Sequence, residues 1–219
     1  MNGQAYLEAL DLAAGAVLVC GVITLWRKDL RAIVSALCVQ GIALSLVAGV
    51  LAAHEHDAGL GVVAALVLVA KGVVIPTLLR RLVRRDPGSR EAAPLVNVSA
   101  SLVAAATLIV IAFLVSGKLS ALLPNAATHL APIGLATVLL GFFLLVTRRK
   151  AVSQIVGLLL IDNGVALLAF LLTAGVPLVV ELGASLDVLL VVIVLRVLAL
   201  SMHHALGPFD LDQLRELHD

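Results

Sequence analysis

Long apolar runs alternate with short polar connections along nearly the whole chain. Runs of roughly 18 residues or more read as membrane-spanning helices, because about 20 residues at about 1.5 Å rise cross a hydrocarbon core of about 30 Å. The pattern predicts seven spans, at 6–26, 31–53, 60–80, 95–116, 127–147, 153–174 and 177–201. Barrel strands would need apolar and polar residues in alternation, and runs such as "VVAALVLVA" and "LDVLLVVIVL" show none. The backbone must then satisfy itself within helices. The predicted fold is an all-α integral membrane protein, with residues 1–219 as a single membrane domain. Within it, 1–85 form a three-helix part, 86–150 carry connecting helices four and five, 151–202 hold the last helices, and 203–219 form a tail.

Composition agrees with a lipid environment. With 62% hydrophobic and 13% charged residues, the chain has too little polar surface to cover a water-soluble globule of 219 residues. Charge then orients it. Arg27, Lys28 and Arg31 follow the first run, Arg80, Arg81, Arg84, Arg85 and Arg90 the third, and Arg148, Arg149 and Lys150 the fifth. With Arg215, twelve of the fifteen basic residues fall on one side, which the positive-inside rule makes cytoplasmic. The N-terminus is expected outside and the C-terminus inside. Tyr6 and Trp26, about 30 Å apart on one helix, are expected at the two interfaces of the first span. Glu8 and Asp11 stand where a secretory signal would carry basic residues, so the first helix is expected to be retained.

Other chemistries find little support. Cys20 and Cys38 stand apart, with no C-x-x-C and no Cys/His cluster, so no iron–sulfur, zinc or haem ligand set is apparent. The segment "HEHD" at His54 to Asp57 reads as a solvated turn, and His203 and His204 as a headgroup-level pair. No glycine-rich nucleotide loop and no nucleic-acid motif is present. Gly41, Ser45 and Gly49 form a small-residue ridge suited to helix packing. "QGIALS" from Gln40 also echoes "NGVALL" from Asn163, a pattern that fits a parallel repeat of spans one to three and five to seven.

Charges inside the spans are the main functional signal. An ionisable group at the centre of a membrane helix costs at least about 2.5 to 3.5 kcal/mol, so it normally faces protein or water and has a role. Lys71, Asp162 and Asp187 lie within about two residues, or about 3 Å, of the middle of their spans. At a common depth they either pair or form a polar track for protons; the plain alternative is a buried ion pair that only holds helices together. Glu181, in the first turn of the last span, fits a proton site or a charge stabilised by the helix N-terminus equally well. Arg196 reads as an interface anchor. Pro76, five residues after Lys71, predicts a break in the third span at the carbonyl of Gly72.

The segments "AKGVVIP", "RRKAVSQIVGLLLIDNGVALLAFLLTAGVPLVVELGASLDVLLVVIVL" and the tail "GPFDLDQLREL" resemble component E of hydrogenase-4 over nearly the whole chain. That protein is a membrane subunit of complex-I-like group 4 nickel–iron (NiFe) hydrogenases and of formate hydrogenlyase-type assemblies. The last three helices are similar to the NuoK subunit of respiratory complex I and the MrpC subunit of cation/proton antiporters. Where the family usually has glutamate before asparagine and glycine, this chain has Asp162 before Asn163 and Gly164. Arg196 departs from the small or apolar residue of that pattern.

The resemblance implies a noncatalytic membrane-arm subunit that contributes Asp162, Asp187, Lys71 and Glu181 to proton translocation. It implies no cofactor in this chain. The partners would be antiporter-like and NuoH-like membrane subunits and a peripheral redox module carrying iron–sulfur clusters and a NiFe or other redox centre. The implied location is the prokaryotic cytoplasmic membrane. A structural scaffold without a proton path and a stand-alone small cation/proton transporter are the rival readings. The tail "FDLDQLRELHD", rich in acids, suits docking on a neighbouring subunit better than anionic lipid.

Overall fold

The computed structural model of the chain describes residues 3–85, 96–122, 127–148 and 151–173. Helix α1 is Gly3–Trp26 and α2 is Leu30–Glu55. A third span runs through α3 (Ala58–Val67), a π-helical segment (Leu68–Val74) and α4 (Ile75–Arg85). Then come α5 (Val98–Leu122), a 3-10 turn (Thr128–Leu130), α6 (Ala131–Thr147) and α7 (Ala151–Thr173). No strand occurs among the described residues.

Six helices in them are long and apolar enough to cross a membrane: Gly3–Trp26, Leu30–Glu55, Ala58–Arg81, Val98–Gly117, Thr128–Thr147 and Val152–Leu172. These coincide with the first six predicted runs to within a few residues. The seventh, 177–201, lies outside the described residues, as do Glu181, Asp187, Arg196 and the tail.

Short polar connections turn the chain because their side chains cap the helix ends. Asp29 accepts from the backbone N–H of Arg31 at 3.0 Å and starts α2. His56, in the left-handed region at φ 55°, closes α2 and donates its N–H to the Ala52 carbonyl. Asp57 then starts α3 by accepting from the N–H of Gly59 at 2.8 Å and of Leu60 at 3.4 Å. The "HEHD" turn is thus a pair of caps. Tyr6, near the start of α1, is buried and stacked on the His54 ring, with centroids 3.9 Å apart. Trp26 is exposed and lies under the Arg27 guanidinium, 5.2 Å from the ring centre.

The break predicted at Pro76 is a change of winding. Ile75 donates its N–H to Ala70, a five-residue step, and the segment around Lys71 is π-helical. The Gly72 carbonyl, four residues before the proline that has no N–H to give it, receives the Cys38 thiol at 3.0 Å. The small-residue ridge of α2 meets this span. A Cβ on Gly41 would lie 2.6 Å from the carbonyl carbon and oxygen of Lys71, so only glycine lets the two backbones approach this closely.

α6 and α7 approach still more intimately. Gly134 and Gly141 on one helix face Gly157 and Gly164 on the other, each pair seven residues apart. A Cβ on Gly141 would stand 2.6 Å from the Ile161 nitrogen, and one on Gly164 2.6 Å from the Val138 nitrogen. Backbone touches backbone along this seam, as small residues permit in lipid, where burial adds little and close packing must hold helices together.

Two apolar clusters fill the rest. One joins Leu10, Val17, Leu44, Val47, Leu51, Leu167 and Leu171. The other joins Leu25, Ile33, Leu37, Leu79, Leu140, Leu144 and Leu160. α5 packs on α6 and leaves Val103, Val110, Phe113, Leu114 and Val115 exposed.

Candidate functional site

Between the two clusters lies a layer of polar side chains. Lys71, from the π-helical segment, points its Nζ at Asp162 Oδ2 on α7, 2.6 Å away. Both residues are buried, with 4% and 8% of their surface exposed. Next to Asp162 in sequence, Asn163 donates from Nδ2 to Gln40 Oε1 on α2 at 2.9 Å. Gln40, wholly buried, donates from Nε2 to the Val17 carbonyl of α1 at 3.0 Å. Hydrogen bonds therefore join α1, α2 and α7, and the ion pair joins α7 to the third span. Val17, Gln40, Lys71 and Asp162 all lie within about three residues, or about 5 Å, of the middles of their spans.

Why the sequence places these groups here follows from the helices. On α7, the positions 157, 161, 164 and 168 face the glycine seam, and Leu160, Leu167 and Leu171 are fully buried in the apolar clusters. Asn163 shares the face of Leu160 and Leu167, towards α2, while Asp162 is turned to the third span. A buried pair of this kind adds little net stability, because desolvation of both ions offsets most of their attraction. Among the described side chains of the layer only Lys71 and Asp162 carry ionisable groups; the amides of Gln40 and Asn163 donate and accept hydrogen bonds but do not titrate.

The structure brings two of the four sequence-predicted site residues together, Lys71 and Asp162. Asp187 and Glu181 lie outside the described residues. Three further features were not foreseen. Gln40 carried a signal only as part of the "QGIALS" echo, and its partner Asn163 is the residue that the echo aligned with it closely. Arg148, expected only as one of the cytoplasmic-side charges after the fifth span, is buried at the end of α6 and donates from its Nη2 to the Leu25 carbonyl at 2.9 Å. There it satisfies one of the orphan carbonyls at the C-terminus of α1. Asp11 Oδ1 lies 3.0 Å from His129 Nε2 in an exposed pair between α1 and the turn before α6. No group of three or more potential metal ligands occurs among the described residues.

Apolar helices packed about a buried polar layer define a polytopic, all-helical membrane protein. The chain belongs to the family of the uncharacterized protein Rv0085 of Mycobacterium tuberculosis, with which it is 45% identical over 220 residues, the whole of both chains. It is also similar to hydrogenase-4 component E of Escherichia coli K12, 35% identical over 94 residues, and equally to that of Shigella flexneri. The matched segment takes in 42% of this chain and 44% of those proteins, a narrower likeness than the nearly full-length one expected from the motifs. No family model matches the chain, and no solved structure does.

Proposed function

We propose that this chain is a noncatalytic membrane-arm subunit of a complex-I-like, redox-driven ion pump of the hydrogenase-4 type, and that Lys71 and Asp162 take part in its proton translocation. The observation that carries this reading is the ion pair itself, a base and an acid 2.6 Å apart in the buried polar layer between two apolar clusters. Selection for stability alone has cheaper solutions, since apolar side chains of similar volume pack such a place as well or better. The partial similarity to hydrogenase-4 component E supports membership of a multi-subunit membrane complex. In this reading Asp187 and Glu181, the seventh span, the outside N-terminus and the cytoplasmic C-terminus complete the subunit. Antiporter-like and NuoH-like neighbours carry the proton onward, and a peripheral module holds the iron–sulfur and NiFe or other redox centres.

The apolar clusters on either side of the layer favour a second reading, a scaffold whose ion pair is closed and passes no proton. Two measurements separate them. Mild-detergent purification from the native membrane is expected to retain antiporter-like subunits and a redox module; recovery of the protein alone would remove the proposal. Read per assembled complex, Asp162→Asn is expected to abolish proton translocation even where the ammonium left buried lowers assembly, whereas a scaffold would translocate at the wild-type rate per assembled complex.

A further inference from the structure

We infer that Gln40 is a positioning residue for the Lys71–Asp162 pair, an inference that rests on the proton-translocation reading above. The glycine seam makes α6 and α7 one unit, because their backbones touch at Gly134, Gly141, Gly157 and Gly164. How that unit is set against α1, α2 and the third span is a separate matter. Most of this boundary is the two apolar clusters, and apolar burial is non-directional. Apolar contacts by themselves hold height and rotation less sharply than a hydrogen bond does, so they alone leave room for a small slide. Meeting Lys71 at 2.6 Å tolerates no such slide.

Within the layer the directional contact to α2 is the amide pair. The Val17 carbonyl can only accept, so Gln40 must turn its Nε2 towards α1 and its Oε1 towards α7. Oε1 can in turn only accept, so Asn163 must present Nδ2. Each link leaves one orientation for the next, and all are buried, where a mispaired amide is costly. The chain from Val17 to Asn163 thus fixes the height and rotation of α7 at the residue beside Asp162. Gly41, next to Gln40 on α2, fixes the other partner: its bare Cα seats the Lys71 backbone directly on α2. One turn of α2 therefore indexes both members of the ion pair.

The test uses the intact complex in native membrane vesicles, read as redox-driven proton uptake per assembled complex across a pH series. Gln40→Leu alone strands the Asn163 amide and is expected to lower assembly as well as rate. Gln40→Leu with Asn163→Leu removes both partners and strands neither, so assembly is expected to return. Positioning predicts that this double variant still translocates protons at least about tenfold more slowly and with a displaced pH profile, since misplacement by about 1 Å is enough to lose such a factor. Gln40→Asn with Asn163→Gln, which moves one methylene across the pair, is expected to recover much of the rate. Wild-type rate and profile in the double leucine variant would overturn the inference, and so would its failure to assemble, which would make the pair a folding element. Asp162→Asn run alongside keeps the two ideas apart: if that variant pumps normally, the translocation reading itself has failed, whatever Gln40 does.

Discussion

Replacing one member of the Lys71–Asp162 pair should be far more damaging than replacing both. At 2.6 Å and an effective dielectric of about 20, the direct attraction is about 6 kcal/mol. Removing two buried ions from water costs several kcal/mol each, so the net worth of the intact pair against an apolar substitute is near zero. Asp162→Leu takes away the attraction and leaves the ammonium buried, at a cost of about 3–5 kcal/mol. Lys71→Met should cost a similar amount by leaving the carboxylate buried. The double variant should return to within about 1 kcal/mol of the wild type, giving a coupling of about 5 kcal/mol or more between the two positions. The assay is reversible unfolding of the purified protein from mild detergent with increasing SDS, followed by helicity. Pairing of side chains in the unfolded, micelle-bound state would shrink the coupling, as happens for hydrogen bonds in other helical membrane proteins. If each single variant lies within about 0.5 kcal/mol of the wild type and the two effects simply add, the pair does not contribute as described. The same double variant also divides the functional readings: restored stability with no proton translocation is the outcome that a conducting pair requires.

Three further substitutions probe what surrounds the site. Gly141→Ala should destabilise by about 1–3 kcal/mol because the new methyl meets backbone atoms that cannot yield. Gly21→Ala, whose methyl would find neighbours no closer than 3.4 Å, should be nearly neutral in the same SDS titration. Arg148→Ala should cost about 1–3 kcal/mol through the carbonyl of Leu25 left without its charged donor; equal stability of variant and wild type would show that water replaces the guanidinium.

The six described spans and the midplane charges Lys71 and Asp162 were legible in the sequence for one physical reason: lipid makes polar groups expensive, so those that persist in an apolar run are conspicuous. Lys71 and Asp162 stood out on charge and depth, and the structure pairs them. Gln40 did not stand out, because a neutral amide buried with partners carries a much smaller penalty and leaves little trace in composition. The glycine seam was visible in principle as seven-residue spacings, Gly134 to Gly141 and Gly157 to Gly164, in consecutive spans. Counting glycines helix by helix hides it, since the signal lies in the match between two helices. Arg148 was placed on a side of the membrane by a rule that sorts charges between faces and says nothing of burial. Tyr6 illustrates the same gap: its position near a helix end speaks to depth and says nothing of the His54 ring that covers it.

The two members of the ion pair sit on elements of unequal firmness, and this predicts which of them moves. Asp162 lies between Gly157 and Gly164 on a helix whose backbone touches that of α6, so turning or sliding α7 would separate two surfaces in full contact. Lys71 lies in a π-helical segment, ahead of a proline that cannot complete the ladder, and the Gly72 carbonyl is satisfied by a thiol, a weak donor. Rewinding that segment towards α-helical geometry has to lift the Lys71 backbone off Gly41, one close glycine contact against the four that hold α7 to α6. A charge that must leave Asp162 is therefore released at lower cost by movement of Lys71 than by movement of α7. Amide hydrogen exchange of the intact protein in lipid nanodiscs should show the amides from Leu68 to Thr77 exchanging at least about tenfold faster than those from Gly157 to Leu167, in line with the lower local stability of an irregular segment. Exchange in the third span as slow as in α7 would show that the break is held as firmly as the seam, and that the lysine is not the mobile partner.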